Sequence, residues 1–445
     1  MTSLSRGSRS ARCISPAEAA ALVKSGDWVD YGFGMGQPDA FDKALAARRD
    51  ELVGIKVRAC LSTKPRAVLE EDSEGRAFGM LNWHFGGYDR RMHDKGRTNY
   101  IPMNFGEAPD NYRRFIERVD VACLKVCSRD ANGFYNFGGA GTYHGAMMAK
   151  AKVRVVEVSN TMPYCHGSDN GIHESEVDYV IEGDHAPITE VTNPPVSEID
   201  RRIATLIAAE IEDGSCLQIG IGAMPNAVCS MLKEAGVKDL GIHTEMMVDG
   251  MVELFEAGLI TGARKAVDPG KAVYTFALGS RKQYQLINNN PEILCRQVDY
   301  TNLPHIIMQN PRSVSINNTT QMDLQGQAAS ESAGHRHISG TGGQLQFVRG
   351  AYAAHEGKSF MCLSSTYTRN GKPESRIVIE LTPGNVVTTP RTDTMYVATE
   401  YGMANLKGMS VAERALALIS IAHPDFRESL ERAARMNGLI PRWFR

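Results

Sequence analysis

The chain lacks any apolar run approaching the roughly 18 residues that a membrane-crossing helix needs; its longest apolar stretches are strand-length. The N-terminus has no apolar core of a signal peptide. The opening MTSLSRGSRSAR is rich in Ser and Arg and free of acids, but it is short and has no apolar stripe, so it reads as a disordered tail rather than a targeting segment. An excess of one charge is missing too. The formal net charge is −2, which removes any global electrostatic reason to bind nucleic acid or an anionic membrane, so an anionic ligand must be met by a local site. The nine cysteines form no CxxC pair and sit mostly among apolar neighbours, as reduced core thiols do. His166 after Cys165 and His173 beside Glu174 show no ligand spacing either. These absences lead us to expect a reducing, cytoplasmic setting, no metal, no nucleic acid and no membrane partner.

What is present is enough chain for two or three cores: 445 residues, 42% of them hydrophobic and 22% charged, with 42 glycines. Two stretches run through the same series of events. In the first, Ser15-Pro16-Ala17-Glu18 reads as an N-cap, an N1 proline and an N3 glutamate, and the helix it opens stops at Gly26. The strand WVDY then enters Gly32-Phe33-Gly34, and Pro38-Asp39-Ala40-Phe41 heads a new helix. In the second, Ser197 to Asp200 caps a helix with Ile199, Ile203, Leu206, Ile207 and Ile211 on one face, stopping near Gly214. The strand CLQI then enters Gly220-Ile221-Gly222, and Pro225-Asn226-Ala227-Val228 opens the next helix. Each half later shows an apolar strand closed by Asp-x-x-Gly, at Asp130 to Gly133 and at Asp323 to Gly326, and then a glycine cluster, GGAG from Gly138 and GTGG from Gly340.

Four features in the same order predict two tandem homologous α/β domains, residues 1–190 and 197–445, joined by the Pro/Thr-rich GDHAPITEVTNPPVS. Alternating strands and helices predict open, mainly parallel sheets in both, with ligands at the C-terminal ends of the strands.

DLGIHTEMMVDG reads as a strand, Leu240 to His243, that breaks at Thr244-Glu245 and so delivers Glu245 to such an end. Its place in the first half, near Leu61-Ser62, holds no carboxylate. Taken by itself Glu245 also reads as a helix-cap acid, the GTGG run as a plain turn, and Asn317 as a turn asparagine. Gly220-Ile221-Gly222-Ala223-Met224-Pro225 can hold an anion by free N–H groups at a helix start. With Pro225 in place of the third glycine of GxGxxG, it is no dinucleotide fingerprint. Lys265, Lys271 and Arg349 flank these motifs and read as solvated charges.

GIHTEMMVDGMVELFEAGLITG, IGIGAMPNAV and SGTGGQLQFVRGA, together with the tail YVATEYGMANLKGMSVAERALALISIAHPDFRESL, resemble the acetyl-CoA hydrolase/transferase family among the class I CoA-transferases. The resemblance runs from about residue 15 to the C-terminus and lies nearest to the butyryl-CoA:acetate and 4-hydroxybutyrate CoA-transferases and to relatives acting on itaconate. It implies ping-pong transfer of CoA between small carboxylic acids through a glutamyl-CoA thioester on Glu245, with succinate also small enough to serve. It assigns Gly340, Gly342, Gly343 and Gln344 to oxyanion and CoA binding, and Gly220 and Gly222 to the border of the acyl or carboxylate pocket. Asn317, with Asn318 as the alternative, is assigned there too and to a hydrogen bond with the nucleophile. CoA is then a substrate and no cofactor is tightly held, acyl-CoA and small carboxylates are the partners, and a homodimer is expected. A solvated glutamate near pKa 4.3 needs no activating base, but it lacks intrinsic strength, which positioning and oxyanion donors must supply. The rival readings are a short-chain acyl-CoA hydrolase on the same scaffold and a non-catalytic CoA-binding regulator.

Overall fold

The computed structural model describes residues 11–192, 194–220 and 222–444; most of the Ser/Arg-rich opening segment, together with Ile221 of the second glycine turn, lies outside them. The chain divides into two compact units. One contains residues up to Val191 together with Thr275–Tyr300, and the other contains Thr192–Tyr274 and the residues from Thr301 onward. Residues 275–300 fall in the second half by sequence, yet they join the first unit through specific bonds. Val191 N–H donates to Gly279 O at 2.9 Å, Val298 N–H to Thr142 O at 2.8 Å, and Arg281 pairs with Glu190.

In the first unit, eight strands form one sheet in which every pairing is parallel. Its centre is five strands, Trp28–Phe33, Ile55–Cys60, Val121–Val126, Val153–Val158 and Tyr179–Glu182. Numbered along the chain, they lie in the order 2-1-3-4-5. Val121–Val126 is buried at every position, as a parallel strand covered on both faces should be.

The second unit repeats this plan. Cys216–Ile219, Gly241–Ile242, Ser313–Asn318, Lys358–Cys362 and Tyr396–Thr399 lie side by side, again in the order 2-1-3-4-5 and all parallel. Gly402–Asn405 adds an antiparallel edge strand. In sheets of this order the chain reverses direction between the first and third strands, and the crevice beyond their carboxyl ends is where ligands collect.

The duplicated motifs become the same local structures. Ser15 with Glu18 and Ser197 with Asp200 both close capping boxes, each satisfying two backbone donors at a helix start. The two Asp-x-x-Gly turns bond alike. Asp130 Oδ1 accepts from the N–H groups of Asn132 and Phe134, and Asp323 Oδ1 from those of Gln325 and Gln327. The predicted apolar face of the helix Glu198–Ala208 is narrower than its sequence spacing implies. Ile203, Ile207 and the following Ile211 are buried, whereas Ile199 is 39% exposed at the first turn. Cys13 is exposed and the other eight cysteines are buried and unbridged. No helix of the described residues is long and apolar enough to cross a membrane.

Asp323 is buried and also accepts from Gln327 Nε2 at 2.6 Å. Asp323→Ala leaves its backbone donors without their acceptor and is expected to lower the unfolding free energy by about 2 kcal/mol. Urea unfolding checks this as a lower midpoint at unchanged slope.

Candidate active site

The strand Gly241–Ile242 is fastened from beneath. Lys265 reads from sequence as a solvated charge, but it is buried, and its ammonium donates to Ile242 O at 3.0 Å and to Lys271 O at 2.6 Å. Desolvation pulls its pKa below the usual lysine range. Arg349 is committed as well, to Asp393 at 2.7 Å. Beyond the strand, Thr244 N–H donates to Val273 O and its hydroxyl to Met246 O, so Glu245 emerges from a backbone pinned on both sides.

The Glu245 carboxylate meets the head of the helix Gln344–Ala353, whose N-cap is Gly343. The Gly343 N–H donates to it, and the positive end of the helix favours the anion. The approach is close. A Cβ on Gly343 would lie 2.2 Å from Glu245 Oε2 and 2.4 Å from Asn302 Nδ2, so no side chain can occupy position 343 while this contact stands. Gly342, before it, has φ +55°, the left-handed conformation that glycine adopts at little cost.

The second donor is Asn302. Its Nδ2 donates to Glu245 Oε2 at 2.5 Å, and its Oδ1 accepts from the Thr301 hydroxyl at 2.9 Å. The resemblance assigns the asparagine bond on Glu245 to Asn317, and the structure corrects this. Asn317 lies on the strand Ser313–Asn318, where its amide bonds Gln218 at 3.2 and 3.3 Å and Ser315 Oγ at 2.8 Å. The buried polar groups of neighbouring strands satisfy one another there. Asn302 has no local signature in TNLPH. It reaches Glu245 only because the fold brings together residues 57 positions apart.

Other expected site residues fall nearby in the chain but hold different partners. Gly340 precedes the turn, and its carbonyl accepts from Ser339 Oγ at 3.4 Å. Thr341 bonds Glu331 Oε2 at 2.7 Å. Gln344 opens the helix, and its Nε2 donates to Ser330 Oγ and Thr389 Oγ1 at 2.9 and 3.0 Å. Gly220 and Gly222 follow the strand Cys216–Ile219. The Gly220 N–H donates to Ile316 O at 3.0 Å, and Gly222 caps the helix Ala223–Ala235.

Glu245 is half-buried. Desolvation raises its carboxyl from 4.5 to about 7, against the opposing bonds from Asn302 and Gly343. The expectation of a solvated glutamate near 4.3 is thereby corrected. The group is close to half ionised at neutral pH, and its carboxylate is correspondingly more basic.

Among the described residues, Asp39, Glu157 and Asp184 in the first unit come within metal-ligand distance of one another. Protein donors already occupy them. Asp39 pairs with Lys64, Arg66 and Lys125, and Asp184 with Lys43. The two oxygens of Glu157 accept from the N–H groups of Asp39 and Phe41 at 2.9 and 3.0 Å.

Residues 6–192 match the acetyl-CoA hydrolase/transferase N-terminal domain, and residues 279–434 match the C-terminal domain of the same family. A butyryl-CoA:acetate CoA-transferase from Anaerostipes caccae is 46% identical over 93% of each chain. A 4-hydroxybutyrate coenzyme A transferase from Clostridium kluyveri is 39% identical over 94% of this chain and 96% of its own. The crystal structure of RipA from Yersinia pestis superposes with a TM-score of 0.89 at 38% identity, covering 96% of this chain and 98% of RipA.

Because the native state holds the Glu245 proton more tightly than the unfolded chain does, this group stabilises the protein most below pH 4.5. That contribution is lost as pH rises through about 7. The interval corresponds to about 3 kcal/mol. Glu245→Gln removes the ionisation, so the variant is expected to be more stable than the parent at pH 8 by up to about 3 kcal/mol, and to match it near pH 4. Denaturant unfolding at the two pH values checks this.

Proposed function

The chain belongs to the acetyl-CoA hydrolase/transferase family and is an enzyme that transfers coenzyme A, and from that premise we propose that it moves CoA between short-chain carboxylic acids through a covalent intermediate on Glu245. The observation that carries this reading is the setting of that carboxylate: held at Oε2 by Asn302 and set against Gly343 at the head of a helix, with burial raising its pKa to about 7.

The steps follow from simple acyl chemistry. A Glu245 oxygen attacks the thioester carbonyl of the acyl-CoA. The C–S bond breaks, giving a mixed anhydride and CoA thiolate. The thiolate attacks the glutamyl carbonyl of that anhydride, releases the first acid as its carboxylate, and leaves a glutamyl-CoA thioester. The second acid repeats the two steps in reverse order, ending as its acyl-CoA with Glu245 free. When the thiolate attacks the glutamyl carbon, negative charge gathers on the carboxyl oxygen, and Asn302 Nδ2 and the Gly343 N–H are the donors for it. A fixed donor of this kind is worth about 3–4 kcal/mol of barrier.

Gly342 supports the turn that aims Gly343. Gly340 and Gln344 line the same segment as candidate CoA contacts, while Gly220, Gly222 and Asn317 edge the crevice of the sheet as candidate acyl-pocket residues. Butyrate, acetate and 4-hydroxybutyrate are the first acids to test, with succinate and itaconate in the same size range. CoA is a substrate whose adenosine and pantetheine portions supply binding energy remote from the thioester, so no tightly held cofactor is required. A homodimer is part of the same proposal, and a reducing cytoplasm is its proposed setting, in keeping with the unbridged thiols.

Two outcomes are expected. The pH profile of kcat/KM for butyryl-CoA falls on its acid side with a midpoint near 7, where Glu245 gains its proton. Borohydride added during turnover reduces the glutamyl thioester to an alcohol and lowers the intact mass by about 14 Da, on the peptide carrying Glu245. Activity without any mass change on that peptide rules the covalent route out.

A further inference from the structure

The carboxamide that reaches Glu245 has two ends of nearly equal shape and opposite chemistry. Only one orientation helps a carboxylate. With Nδ2 toward Glu245 the contact is a charge-assisted hydrogen bond; with Oδ1 there instead, two lone pairs face each other. Steric fit barely distinguishes the two, so the choice falls to what the far end of the amide meets.

That far end meets a hydroxyl. Thr301 Oγ1 donates to Asn302 Oδ1 at 2.9 Å, and both residues are fully buried. The Thr301 carbonyl is fixed in turn by His243 Nε2 at 2.9 Å, two residues before Glu245 on the same chain segment. The bonds therefore close a ring: His243 to Thr301, Thr301 to Asn302, Asn302 to Glu245, and back along the chain from 245 to 243. Thr301 is β-branched, which restricts its χ1 and holds the hydroxyl in place.

We propose that Thr301 is a positioning residue for the transfer reaction, its hydroxyl holding the Asn302 amide so that Nδ2 faces Glu245. This rests on the reading of Glu245 as the nucleophile. Without the hydroxyl, Asn302 Oδ1 is a buried acceptor that has lost a donor, and such groups seek another. Gly343 packs against both Asn302 and Glu245, and its N–H is the rival donor. An amide that turns to take it removes both hydrogen bonds from the carboxylate together, and both of those bonds act to lower the Glu245 pKa.

The charged surroundings leave this clear to read. Burial, the Asn302 amide and the Gly343 N–H account for the shift of Glu245, with no charged side chain among the causes. His243 is the other titratable member of the ring, beside Glu245. Its Nε2 faces a carbonyl, which only accepts, so that nitrogen carries a proton whether the ring is neutral or charged.

The test is a comparison of Thr301→Val, which keeps the shape and removes the hydroxyl, with Thr301→Ser, which keeps the hydroxyl, in the full chain. For Thr301→Val the acid limb of kcat/KM for butyryl-CoA is expected to move up by about one pH unit, equivalent to a tenfold change in the ionisation constant. At pH 7, kcat is expected to fall by at least about tenfold while KM stays within about twofold. Thr301→Ser restores the limb and the rate. Thr301→Ala removes the same hydroxyl at smaller volume and reproduces the limb shift if the valine variant folds poorly. An acid limb that stays in place in both hydroxyl-free variants overturns the proposal, and so does a serine variant as impaired as the valine one. Borohydride trapping on the unaltered protein separates this from the premise. Absence of a trapped glutamyl group sinks the nucleophile, whereas trapping together with an unshifted Thr301→Val limb sinks the positioning role alone.

Discussion

A carboxylate withdrawn from water has to be met by donors, and the second unit is organised around meeting this one in a particular way. Burial penalises the Glu245 anion, and the Gly343 N–H and the Asn302 amide give part of that stabilisation back. The balance settles near 7 rather than near 4.5. Too few donors would leave an acid that is always protonated. More donors would leave a fully ionised and less basic anion. The glycine that admits no side chain and the helix that starts at it supply one of those donors, while the lysine beneath the strand fastens the backbone that leads to Glu245.

The two halves share one frame, and only one of them carries the site. Both sheets run 2-1-3-4-5 with parallel strands, and both have the same capping boxes and Asp-x-x-Gly turns. At the end of the second strand, however, the first half has Leu61 and Ser62 where the second has Glu245. Frame and chemistry are separable, because the frame depends on strand burial and turn hydrogen bonds, while the chemistry depends on a few side chains at strand ends.

That separation explains what could be read in advance. The strand CLQI, the capping serines and the Asp-x-x-Gly turns are local, each set by a few adjacent residues, and they stand where their spacing puts them. Glu245 was legible from a strand that breaks at its carboxyl end and from family likeness. Asn302 was not, because nothing in TNLPH distinguishes it from any asparagine ahead of a proline, and its role exists only through a contact across 57 positions. Ile199 shares the spacing of the buried face yet is exposed, because periodicity describes a helix face without saying where the face runs out of neighbours. The assignment of residues 275–300 escaped for the same reason, as it rests on bonds such as that from Val298 to Thr142.

Glu157 in the first unit offers a comparison for Glu245. Like Glu245 it is a glutamate set at the head of a helix, and burial raises its pKa too. Both of its oxygens are taken by backbone N–H groups of that helix start, so it acts as mortar between strand and helix. On Glu245, Asn302 holds Oε2 and the Gly343 N–H is the second donor. The two acids differ in the kind of donor they meet: Glu157 takes two backbone N–H groups of one helix start, whereas Glu245 takes one backbone N–H and one side-chain amide, and a side-chain amide can turn away where a helix backbone cannot. Under the proposed reading, a helix-head acid fastened wholly by backbone is mortar, and one that shares its fastening with a side chain is the one open to chemistry.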